Sequence, residues 1–174
     1  MKRFAALYDA LDRTTSTNAK VAALVEYFRS APPADAAWAV FFLTGRRLKR
    51  LLPSASLREW AQSESAVPEW LFMESYAAVG DFAELMALVL DGVPKEGDDH
   101  ALTLADWIER RLLPLAEEDA VSQRQHVTTW WRSLERGERF VLNKVMTGEF
   151  RVGIAQTLVM RALGQATGID PKLA

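Results

Sequence analysis

The residues able to do chemistry in this chain are cations and glycines, gathered in three short stretches. In TGRRLKRLL (44–52) four cations, Arg46, Arg47, Lys49 and Arg50, fall within five positions. A run that dense is what neutralising a row of phosphates requires, although it is also an ordinary pattern for a solvated loop. In TGEFRVGIAQ (147–156) Gly148 and Gly153 permit close approach of backbone, and Arg151 precedes Gly153–Ala155, read here as the opening of the last helix. A helix amino end exposes unpaired N–H groups and about half a positive charge, so the Gly153–Ala155 start would form an anion site with Arg151 beside it. In TTSTNAK (14–20) Ser16 and Asn18 crowd a helix start with Lys20 one turn in. Capping alone explains that composition.

Other chemistries find little support. The chain of 174 residues has no cysteine, which excludes disulfides and thiolate metal sites. His100 and His126 are its two histidines and fall on different predicted elements. Neither a G-x-x-x-x-G-K-[ST] loop nor a G-x-S-x-G elbow occurs. The acids at 117–119 and at Asp98–Asp99 read as loop or helix-start charges, and Trp130–Trp131 as core anchors. The longest apolar runs, such as WAVFFL (38–43), fall well short of the roughly 20 residues of a membrane span. At the N-terminus Asp9 and Asp12 break the basic-then-apolar pattern, which predicts an amphipathic helix there and a cytoplasmic protein.

The net charge of −2 conceals a segregation. Residues 1–60 carry ten Lys/Arg against five Asp/Glu, residues 61–135 five against fifteen, and residues 136–174 six against three. All three phosphate-like stretches lie in the two basic parts. If the ends of the chain meet in the fold, one positive face is backed by a negative one.

The elements that must position these residues read as helices throughout. Apolar residues recur at helical spacing, as in Phe4, Leu7, Tyr8, Leu11 and in Val21, Leu24, Val25, Phe28. The pattern predicts an all-α, single-domain bundle of about ten helices. AAWAVFFL (36–43) reads as a helix buried all round that closes on Gly45. Ser56 and Glu59 match a capping box, as do Asp81 and Glu84; Thr103 reads as an N-cap and Pro68 as a first-turn proline. Pro114 should kink or end its helix, and Gly168 should stop the last one.

ERFVLNKVMTGEFRVGIAQTLVMRAL (138–163) resembles the end of the N-terminal DNA-binding domain of ATP-dependent DNA ligases, where a K-[LV]-[IM]-T-G-x-[FL]-R-[VI]-G run enters a helix. LDRTTSTNAKVAALVEYF (11–28), FFLTGRR (41–47) and VPEWLFMESYAAVGDFAELMALVL (67–90) follow the family's order, and the last looks most like the bacterial enzymes. The resemblance implies that residues 1–174 form the helical domain that clasps nicked duplex DNA through backbone and minor-groove contacts. Its partners would be that DNA and the ligase's catalytic nucleotidyltransferase and OB-fold domains. Carried over by motif, the DNA contacts fall on Gly148, Arg151, Gly153, Ala155 and Gln156, then on Ser16, Asn18, Lys20, Arg46 and Arg47. Glu149 departs from the small residue usual in relatives. The family's adenylating lysine lies in K-x-D-G; here the one Asp-Gly, Asp91–Gly92, has Val89 in the lysine's place. The chain is therefore expected not to be an enzyme by itself and to need no cofactor, with ATP and Mg²⁺ belonging to the parent ligase, in DNA repair or replication. The alternative is an all-α protein-interaction scaffold. The two readings part on whether the cationic ends share a face.

Overall fold

The computed structural model describes residues 1–97, 101–150 and 152–168. In chain order its helices are α1 (Lys2–Asp12), α2 (Thr17–Ser30), α3 (Pro33–Leu43), α4 (Ser54–Ser65), α5 (Glu69–Val79) and α6 (Phe82–Val89), the last running into a 3₁₀ turn (Leu90–Gly92). A continuous helical run follows, made of α7 (Leu104–Asp106), a π-helical segment (Trp107–Leu112) and α8 (Leu113–Leu115). Then come α9 (Ala120–Ser133), α10 (Arg136–Thr147) and α11 (Gln156–Thr167). Counting the interrupted run once gives ten helices, with no strand among the described residues. The all-α expectation holds.

Helix starts and stops follow local chemistry in most places. Asp81 accepts from the Glu84 amide at 3.0 Å, and Thr103 and Asp106 close a reciprocal capping box. Gly45 (φ 85°) follows the end of α3 and Gly168 (φ 74°) ends α11. Two starts differ from the sequence reading. α4 begins at Ser54, after Pro53, so Ser56 and Glu59 lie inside it and form no cap. Pro68 is the N-cap of α5, with extended ψ of 149°, and Glu69 is the first helical residue. In both cases the proline supplies the entry into the helix, because its missing N–H costs nothing there. At Pro114 the chain neither stops nor turns aside. The wide π turns before it carry the Leu113 amide to Ile108 O, five residues back, which relieves the conflict between a proline ring and an α-helical ladder.

The helix buried all round is not α3, whose Trp38, Val40 and Phe41 stay half-exposed, but α10. From Val141 to Thr147 every residue of α10 is buried, the polar Asn143, Lys144 and Thr147 among them. Each polar group is matched. Trp131 Nε1 donates to Asn143 Oδ1 at 2.8 Å, and Asn143 Nδ2 donates to Ala83 O at 3.3 Å. Arg139 donates to the carbonyls of Leu134 (3.1 Å from Nε) and Leu90, the C-caps of α9 and α6. Burial pulls the Arg139 guanidinium below its ordinary pKa, with Asp91 opposing. α10 thus forms the axis on which α1, α6 and α9 are assembled. Asp35 makes another long-range tie. Buried, it accepts from the amides of Leu104 (3.2 Å) and Ala105 (2.9 Å) and caps α7 from α3.

Candidate nucleic-acid interface

α10 also positions the joint that leads to the last helix. It ends on Gly148, at φ 68°, with the Glu149 amide bonded back to Lys144 O at 3.1 Å. Two residues on, Phe150 is almost fully buried. Its ring stacks on Phe4 at 5.6 Å and meets Phe42 at 5.1 Å and Tyr8 edge-on at 5.5 Å. This plug, drawn from α1 and α3, fixes the course of the joint. The sequence signal for it was a lone aromatic inside a polar turn. Val152 and Ile154 then form a γ-turn, with the Ile154 amide 2.7 Å from Val152 O.

The last helix opens at Gln156, with Ala155 as N-cap and no side-chain cap. Gly153 and Ala155 therefore precede the helix and do not belong to its first turn. Ala155, Gln156 and Thr157 are exposed, which leaves an uncapped helix start facing solvent. Gly153 is exposed too. Its φ lies outside the left-handed region, and a Cβ there would meet no heavy atom within 4 Å, so nothing in the fold requires glycine at that position.

Gly148 is different. Besides its left-handed φ, a Cβ on it would stand 3.1 Å from Leu48 O and 3.4 Å from Arg50 N. The basic loop between α3 and α4 lies directly against the end of α10, tied by the Leu51 amide to Met146 O at 3.0 Å and by buried Leu52. Residues of that loop and of the joint line one open hollow: Arg47, Lys49, Arg50, Lys144, Gly148 and Glu149 among them. The start of α2 reaches the same joint, because Lys20 Nζ donates to Gly153 O at 3.2 Å. Ser16 caps α2, accepting from the Ala19 amide at 3.4 Å, and Asn18 stands exposed beside it. The fold thus brings together the three stretches. Arg151 lies outside the described residues, so its expected place beside Arg46 has no counterpart here.

The charges of this region are arranged unlike those of the acidic middle of the chain. Arg46, Arg47, Lys49 and Arg50 are exposed and carry no ion pair or hydrogen-bond partner for their side chains among the described residues. In the acidic middle of the chain three of the five cations face acids: Arg110 meets Asp106 at 3.2 Å, Arg132 meets Glu64 at 2.7 Å and Glu96 at 3.0 Å, and Lys95 meets Glu135. Two acids line the hollow. Asp81 is engaged by Lys144 and by the start of α6, which leaves Glu149 as an exposed carboxylate there. No sequence signal connects Lys144 with Asp81. Their pairing keeps the half-buried Asp81 carboxylate from cancelling the loop's charge.

Among the described residues such an arrangement defines a helical domain with an unneutralised cationic loop and an uncapped helix start on joined segments, a surface suited to anions. The sequence model for the DNA ligase N terminus matches residues 1–164, and the chain belongs to that family. It is 26% identical over 174 residues to a probable DNA ligase of Koribacter versatilis (strain Ellin345), an alignment covering 97% of this chain and 30% of that protein. The chain thus spans less than a third of that relative's length. Among the described residues no helix is long and apolar enough to cross a membrane, and no group of three or more His, Asp or Glu is placed to hold a metal ion.

Proposed function

We propose that this chain is the duplex-clasping domain of an ATP-dependent DNA ligase, binding nicked DNA through its sugar–phosphate backbone and minor groove without reading sequence. The observation that carries this reading is the run of four cations, without side-chain partners among the described residues, held by backbone packing against Gly148. Backbone binding needs rigidly placed positive charge and exposed amides, not a base-reading helix. Arg46 and Arg47, with Lys49 and Arg50, take phosphates from the loop; Gly153, Ala155 and Gln156 offer bare backbone; Arg151 adds a guanidinium. Ser16, Asn18 and Lys20 border the same joint. Gly148 serves by letting loop and joint meet, since its own amide is engaged by carbonyls of α10. Glycine at 153, which the fold does not demand, fits close approach by an outside backbone.

We place ATP and Mg²⁺ on other domains of the ligase, because Val89, at the end of α6, stands where the Asp91–Gly92 pair would need an adenylating lysine. Adenylation and sealing belong to other domains of a ligase, with which this one works in the cytoplasm during repair or replication. The reading is tested by duplex affinity against salt. Each contacted phosphate contributes about 0.9 log units of affinity per log unit of salt, so a steep slope supports it and a flat one refutes it.

A further inference from the structure

α5 is the least integrated helix of the fold. Phe72 is its one buried residue, while Trp70 is 68% exposed, Met73 45%, Tyr76 41% and Leu71 39%. Phe72 and Tyr76 hold it by their edges to Phe82 of α6, at 6.4 and 6.1 Å between ring centres. Four large apolar side chains exposed on one short helix form the kind of patch that marks an interaction site, and its tryptophan, tyrosine and methionine are types enriched at protein interfaces. Its border is acidic. Glu69 and Glu74 are exposed on the same helix, Glu149 lines the same hollow as Met73 and Tyr76, and none of the three has an ion-pair partner among the described residues. A phosphate backbone would be repelled there. So would a second copy of the same acidic face.

We infer that the α5 face docks a protein surface with an apolar centre and a lysine- or arginine-bearing rim. This rests on the reading of the chain as a ligase domain, because the relative from Koribacter versatilis carries most of its polypeptide beyond the matched part, so such a domain works beside other protein. Glu149 lines both the α5 hollow and the cationic one, so the docked surface would lie next to the duplex and close over it.

The test uses this chain, with Trp70→Glu/Met73→Glu and Glu74→Lys as variants. The binding partner is the part of the Koribacter versatilis protein outside the matched 30%, and a nicked duplex is a separate ligand. The parent chain should bind that polypeptide, both variants should bind it at least about tenfold more weakly, and duplex affinity should not change. Unaltered circular dichroism and melting would show the variants folded. Failure of the parent to bind, or equal binding by the variants, overturns the inference. A fall in duplex affinity for Trp70→Glu/Met73→Glu would make DNA the occupant, and a dimer of this chain abolished by that variant would make it a second copy; either result overturns it too. A parent that binds the polypeptide but not the duplex would defeat the ligase reading of the cationic loop and leave the docking face standing.

Discussion

A Cβ placed on Gly148 would come within 3.1 Å of the carbonyl oxygen of Leu48, so the end of α10 and the cationic loop are in backbone contact with no room for a side chain between them. One residue thus joins a C-terminal motif to a basic run a hundred positions earlier. Gly148→Ala should lose about 1–3 kcal/mol of stability, from the left-handed φ alone, and also loosen the loop. The matched control is Gly153→Ala, whose backbone tolerates a side chain: stability should hold within about 0.5 kcal/mol while duplex affinity falls. Urea denaturation and a binding titration on the two variants separate the roles. Equal stability losses would contradict the assignment.

Phe150 should prove to be the anchor of the joint. Phe150→Ala removes a buried ring from contact with Phe4, Tyr8 and Phe42 and should cost about 3–5 kcal/mol. Phe150→Leu should recover most of that. If truncation costs less than about 1 kcal/mol, the ring does not hold the joint in place.

Acid should weaken the fold through its helix caps. Asp106 and Asp119 both have carboxyl pKa values held below the usual 3.8, the first by hydrogen bonds from the Thr103 hydroxyl and amide, the second by those from the Ser122 hydroxyl and amide and the Val121 amide. A carboxyl whose folded pKa is depressed stabilises the fold fully above its unfolded value, and that contribution is lost as pH falls through the depressed one. Melting temperatures should therefore drop below about pH 4, and Asp106→Asn/Asp119→Asn should flatten that part of the curve. An unchanged acid limb would show that the two caps do not carry it.

The helical class, most caps and the placing of basic runs were legible because they are local: period, proline, glycine and charge sit within a few positions of what they govern. Some helix starts were misplaced by a residue or two, at Pro53, Pro68 and Ala155; the larger surprises come from long-range partnership. Arg139, Asn143 and Lys144 of α10 are polar yet buried, because carbonyls, Trp131 and Asp81 wait for them across the core. Asp35 caps a helix 69 residues away, which no capping pattern can reveal. At the joint, Gly148 was read as a phosphate contact, and its steric role appeared only with Leu48 and Arg50 opposite it. The exposed face of α5 was hidden by its composition, since tryptophan and methionine at helical spacing look like core.

The most direct test of the account is the slope of log affinity against log salt for a nicked duplex, comparing the chain with Arg46→Ala/Arg47→Ala. Loss of two phosphate contacts should weaken binding to every sequence alike and make the slope shallower by about 1.8. An unchanged slope, or a shift in sequence preference, would contradict a domain that holds DNA by its backbone.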